Sequence, residues 1–127
     1  VVVDNFVDVV NFTFTLNAPI PTVGTILGIT SGSVHPALST GFTSNVLPGN
    51  NIGVFWSDTT SDLPNNSVMF SIDVQLGTAP VGSTTPVNIT GFPVTFQFTQ
   101  NINGNTINPL VNPINGFVEI VEEQHNI

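Results

Sequence analysis

The sequence predicts an all-β fold, a single sandwich of the jelly-roll or immunoglobulin-like kind with about seven to nine strands. Three observations carry that expectation. Val, Ile, Thr, Phe, Asn, Gly and Pro dominate, while Ala, Glu, Leu and Lys, the residues that favour helix, are scarce or missing. Apolar and polar residues alternate with a period of two in several stretches, and no stretch carries a 3.6-residue stripe. Turn-forming clusters recur about every 8 to 12 residues, the spacing of short sandwich strands.

Taken in order, Val1, Val2 and Val3 make an abbreviated first strand, ended by the Asp4-Asn5 turn. Val10, Phe12, Phe14 and Leu16 then share one face, with Asn11, Thr13 and Thr15 on the other, so one side meets a core and one meets water. Shorter strands are expected at Thr25 to Ile29 and Ile52 to Ser57. The clearest alternation runs from Val68 to Leu76, with Val68, Phe70, Ile72, Val74 and Leu76 inward and Met69, Ser71, Asp73 and Gln75 outward. Val87 to Thr90 follows, then Phe92, Val94, Phe96 and Phe98 set against Thr95, Gln97 and Thr99. Phe117 to Val121 is the last strand, and Val121 to Ile127 an extended tail. The turns between them are Asn17-Ala-Pro, Leu47-Pro-Gly-Asn, Leu63-Pro-Asn-Asn, Asn103-Gly-Asn and Asn112-Pro-Ile-Asn-Gly, all rich in residues that set turn geometry. A chain of 127 residues is about one domain long, so residues 1–127 are read as one sandwich.

Charge bounds the function. There is no Lys or Arg; the charged side chains are eight carboxylates, Asp4, Asp8, Asp58, Asp62, Asp73, Glu119, Glu122 and Glu123. Nucleic acid is excluded as a partner, because phosphate binding draws on Lys and Arg that release counterions. Anionic membrane surfaces are excluded for the same reason. Edge strands lose a common protection too, since lysine is the residue that most often keeps a neighbouring chain from pairing with them. With no Cys there is no disulfide framework or thiolate metal site. No apolar run approaches the roughly 20 residues of a membrane span. An acidic, thiol-free, Asn- and Thr-rich β-protein that starts without methionine reads as a processed or excised extracellular segment. Sequons at Asn11, Asn65 and Asn88 are frequent by chance in such a composition, and only the Asn65 turn suits a glycan.

Catalysis has little to work with. A Ser-His-Asp arrangement needs a base held by packing and an oriented acid, and neither His35 nor His125 has that context. The Asp58-Thr-Thr-Ser-Asp62 segment, read as a loop, offers carboxylates for Ca²⁺, as do Asp4 and Asp8; the spacing lacks the glycine and terminal Glu of an EF-hand, and a solvated turn explains it as well. The same pair placed about 5 to 9 Å apart would suit a glycosidase, a weaker reading. A sugar platform needs exposed aromatic rings; Tyr is absent, and Trp56 shares parity with Ile52 and Val54, which assigns it to the core.

In their order and spacing, several stretches together resemble the cohesin family, specifically the divergent cohesin-like domains of large secreted or surface proteins of bacteria. They are Val3-Asp-Asn-Phe-Val-Asp-Val into Phe12-Thr-Phe-Thr-Leu, Ile29-Thr-Ser-Gly-Ser, Pro48-Gly-Asn-Asn-Ile-Gly-Val-Phe-Trp-Ser-Asp, Leu63-Pro-Asn-Asn-Ser-Val-Met-Phe-Ser-Ile-Asp-Val, Gly82-Ser-Thr-Thr-Pro-Val-Asn-Ile-Thr and Asn115-Gly-Phe-Val-Glu-Ile-Val. The chain departs from the family at Asn17-Ala18-Pro19, where Asp-Pro is usual, and in its short first strand. Two functions are expected. One is a non-catalytic extracellular module that assembles with copies of itself or with neighbouring domains into a fibre, sheath or adhesin by strand pairing. Its contact ends are Val1, Val2, Val3, Val121, Glu122 and Glu123. The alternative, implied by the resemblance, is recognition of a dockerin-like module on one sheet face, through Ser71, Asp73 and Gln75. Carbohydrate binding is a third and weaker reading.

Overall fold

The computed structural model describes residues 1–122, and they form strands with one short 3₁₀ turn and no α-helix. In chain order the strands are β1 (Val2–Val3), β2 (Phe6–Asn17), β3 (Gly24–Ile29), β4 (Phe42–Leu47), β5 (Asn51–Leu63), β6 (Ser67–Val68), β7 (Ile72–Leu76), β8 (Thr84–Thr90), β9 (Gln97–Ile102), β10 (Asn105–Ile107) and β11 (Gly116–Glu119). The 3₁₀ turn, Pro36–Leu38, lies between β3 and β4.

β2 is the spine of the larger sheet, whose order is β10-β9-β2-β5-β4. One edge of β2 pairs with β5. The other pairs first with β9, from Val9 to Thr13, and then with β8, from Thr15 to Asn17. β8 carries β11 on its far side. The antiparallel pairs β1–β6 and β3–β7 make up the opposing layer. Between the layers lie Phe12, Phe14 and Leu16 of β2, Ile52, Val54 and Trp56 of β5, Ile26 of β3, Leu38 of the 3₁₀ turn, and Met69 and Phe70. The rings stack through the middle: Trp56 on Phe12 at 5.5 Å, Phe12 on Phe98 at 5.4 Å, and Phe14 on Phe70 at 6.1 Å. Offset aromatic pairs of this kind add stabilisation beyond their buried area. Trp56 is in the core, as its parity requires, and donates its indole N–H to the Thr40 carbonyl at 3.1 Å.

The all-β sandwich is as expected, and several strand limits differ from expectation for identifiable reasons. Val9, not Val10, turns into the core, because β2 is bulged: Asp8 takes φ 51° and the register with β5 slips on both sides of Val9. The stretch from Val68 to Leu76 is two strands. The chain changes partner from β1 to β3 at Met69–Ser71, so Met69 and Phe70 both enter the core while Val68 and Leu76 are exposed. The stretch from Phe92 to Phe96 is not a strand. Pro93 has no N–H for a ladder, and Phe92 is 82% exposed. Strand geometry resumes only at Gln97, and the Val94 backbone bonds the Thr15 hydroxyl instead, N–H to Oγ1 at 2.9 Å and Oγ1 to the carbonyl at 3.0 Å. β5 runs on to Leu63, so Asp58–Asp62 is irregular strand and not a loop. β4 and β10 were not expected, and β11 ends at Glu119, short of Val121.

Candidate partner-binding face

The outward side of the β3–β7 pair is built by register. Thr25 stands opposite Gln75, and Gly28 opposite Asp73, with Leu27 inserted between Ile26 and Gly28 as a bulge. A bulge leaves one residue unpaired and re-aims its side chain. Leu27, outward by the alternation of β3, is 55% exposed, an apolar group beside polar ones. The Asp73 carboxylate accepts from the Thr30 hydroxyl at 2.7 Å. Ser71 lies just before β7; its N–H donates to Ser33 Oγ at 3.0 Å, and its carbonyl accepts from the Thr30 N–H at 2.9 Å. These bonds tie the loop after β3 to the start of β7, so the polar groups are held on a defined backbone. Ser71, just before β7, and Asp73 and Gln75 on it are all exposed, as their alternation expects. Leu27 was missed, although a glycine inside a strand pattern, here Gly28, is a bulge signal.

The other sequence-derived residues are dispersed. Val1 and Val3 turn to β6: the Val1 carbonyl accepts from the Met69 N–H at 2.8 Å, and the Val1 amino group, whose pKa burial lowers, donates to the Phe70 carbonyl at 2.7 Å. Val121 and Glu122 are exposed beyond β11, while Glu123 and His125 lie outside the described residues. Asp58 accepts from the Thr59 N–H at 2.7 Å, and Asp62 from the Asp8 N–H at 2.6 Å, so each has a bond that pins local backbone. Asp4 accepts from the Asn66 N–H at 2.8 Å. Among the described residues no three His, Asp or Glu side chains converge as a metal-binding group. His35 caps the 3₁₀ turn, its Nδ1 accepting from the Ala37 N–H at 3.1 Å. Of the sequon asparagines, Asn65 is exposed and accepts from the Asn5 N–H at 2.8 Å, whereas Asn11 Oδ1 is buried without a partner.

No protein-family model and no curated protein matches the chain. Solved structures similar in fold include two that contain cohesins. The seventh ScaB type I cohesin of Pseudobacteroides cellulosolvens aligns with a TM-score of 0.72 at 14% identity, over 98% of this chain and 82% of that one. A type I cohesin–dockerin complex of Clostridium thermocellum, Coh-OlpA-Doc918, aligns at 0.69 and 17% identity, over 94% and 84%. The chain therefore has the cohesin-like β-sandwich fold.

Proposed function

We propose that this chain is a non-catalytic extracellular recognition module, residues 1–127 acting as one unit, whose β3–β7 face receives a dockerin-like protein. The observation that carries the reading is the fold likeness over nearly the whole chain to two cohesins, one of them described in complex with a dockerin. The face supports it chemically. A half-exposed leucine on the strand pair that carries Thr25, Asp73 and Gln75 has the form of an interface anchor with a hydrogen-bonding rim. Each partner of a standard interface covers about 800 Å², so the contact extends well beyond these side chains. Calorimetric titration against a panel of dockerin modules tests the proposal. Binding is expected, and Leu27→Asp, an exposed site whose change leaves the fold intact, weakens it by about tenfold or more, the size of an anchor loss. No binding across the panel, or full binding by Leu27→Asp, counts against it.

Self-assembly by strand pairing is the second reading, favoured by the outer edges of β4 and β10. Neither edge has a strand partner among the described residues, and neither strand carries a charge. Filaments in electron micrographs of purified protein, lost on trimming Val1–Val3 or residues 121–127, support it; unchanged assembly of the trimmed protein rejects those ends as contacts. Ca²⁺ at Asp58 and Asp62 would belong to either reading only if a titration with the ion raised stability.

A further inference from the structure

Asparagine followed by glycine occurs twice in the chain, at Asn103-Gly104 and at Asn115-Gly116. The pair is chemically distinctive, because glycine has no side chain to keep its backbone nitrogen away from the preceding carboxamide. The two places are held very differently. Asn103 and Gly104 are the two-residue loop between β9 and β10, whose last paired residues are Ile102 and Asn105. Both take positive φ, 53° and 80°, the tight turn that this dipeptide favours. Both are exposed, and the space within 4 Å of where a Gly104 side chain would stand is open. β10 itself is three exposed residues at the edge of its sheet, an element that opens locally at little cost. At the second pair, Asn115 Oδ1 accepts from the Ile89 N–H at 2.9 Å, and Gly116 stands opposite Val87 in the β11–β8 ladder. Reaction there requires the side chain to leave its partner and the end of the ladder to open.

We propose that Asn103 is a self-modifying site, converted by solvent water to aspartate and isoaspartate, while Asn115 of the same folded chain is spared. The Gly104 backbone nitrogen gives up its proton to solvent base and bonds to Asn103 Cγ. The Cγ–Nδ2 bond breaks, and the nitrogen leaves as ammonia, taking up a proton equivalent to the one Gly104 lost. Water then opens the five-membered imide: addition at one carbonyl gives aspartate, and at the other isoaspartate, in which the main chain runs through the former side-chain carbonyl. Nothing is oxidised or reduced. The short edge strand β10 supplies the local freedom that ring closure needs. Each conversion adds a carboxylate to the eight of the sequence and places it at the end of β10, an edge strand with no charge of its own. Charge at an edge discourages pairing with another chain, so the reaction blunts that edge as the protein ages. The chemistry is independent of what the β3–β7 face binds.

The test is incubation of the full chain at mildly alkaline pH, below its melting temperature, followed by tandem mass spectrometry of chymotryptic peptides, since trypsin has no Lys or Arg to cleave at. Acid in place of amide is expected to accumulate at Asn103 about tenfold or more faster than at Asn115, the factor that one or two held hydrogen bonds make in local opening. In concentrated urea both pairs lose their surroundings, and the two rates should converge. Isoelectric focusing of the aged folded chain should show an acidic band that Asn103→Gln does not develop. Equal rates in the folded chain, faster conversion at Asn115, or a rate ratio that survives in urea overturns the proposal. So does an Asn103 that stays an amide over the time in which the urea-unfolded chain reacts, or an acidic band that persists in Asn103→Gln.

Discussion

Asn50 joins three pieces of chain through one side chain. Its Nδ2 donates to the carbonyls of Ala18 at 2.8 Å and Gly24 at 2.7 Å, and its Oδ1 accepts from the Ile26 N–H at 2.8 Å. The residue also takes φ 60°, a left-handed conformation that asparagine tolerates better than most. Asn50→Ala strands two carbonyls and an amide in a partly buried place, and its stability in urea unfolding should fall by about 2 to 4 kcal/mol. A loss under about 0.5 kcal/mol, the size of an ordinary surface change, would show that water replaces the amide. The turn at Pro48-Gly-Asn was legible in the sequence, because those residue types punctuate chains. The reach of Asn50 to β3 was not, since the 24 to 32 residues that separate the partners are joined only by tertiary structure. Leu27 keeps the outward parity of Thr25; what stayed hidden is the bulge beside it, since the placing of Gly28 opposite Asp73 depends on register with β7.

Among the elements, β2 settles most of the topology, because it pairs with β5 on one edge and with both β9 and β8 on the other. Thr15 sits where the partner changes. It is fully buried, which its polar alternation did not foretell, and its hydroxyl takes up both the N–H and the carbonyl of Val94. Thr15→Val keeps the shape and removes both bonds, so about 2 to 3 kcal/mol should be lost, while Thr15→Ser loses less. Hydrogen exchange localises the effect. The Val94 amide should exchange faster relative to the β5 amides; uniform acceleration across the sheet would mean that Thr15 acts on global stability alone. The long strands with strict alternation were visible in the sequence at their centres, Phe12 to Leu16 above all. What escaped were short strands such as β4 and β10, and the break at Met69–Ser71, where both parities are buried because the segment bridges two strand pairs.

For the molecule as a whole, a formal charge of −8 with no Lys or Arg means that the charged side chains repel one another and attract almost nothing within the protein. Added salt screens that repulsion, and the Debye length falls from about 30 Å at 0.01 M to about 10 Å at 0.1 M. The melting temperature should therefore rise on adding NaCl over that range, the opposite of a fold held by surface ion pairs. A falling melting temperature would point to attractive charge interactions that the fold does not otherwise reveal. The fold class itself was readable from composition and period, since both are set locally. The face proposed for recognition was half readable: Ser71, Asp73 and Gln75 lie on one alternating run, whereas their neighbours on β3 join them only through strand pairing.

The stack of Trp56 on Phe12 also gives the molecule a single optical reporter. With one indole and no phenol in the chain, emission excited at the red edge of the indole absorption band comes from the interior of the sandwich and from nowhere else. A ligand that docks at the periphery leaves that glow untouched, and any shift in its colour registers water reaching the middle of the protein.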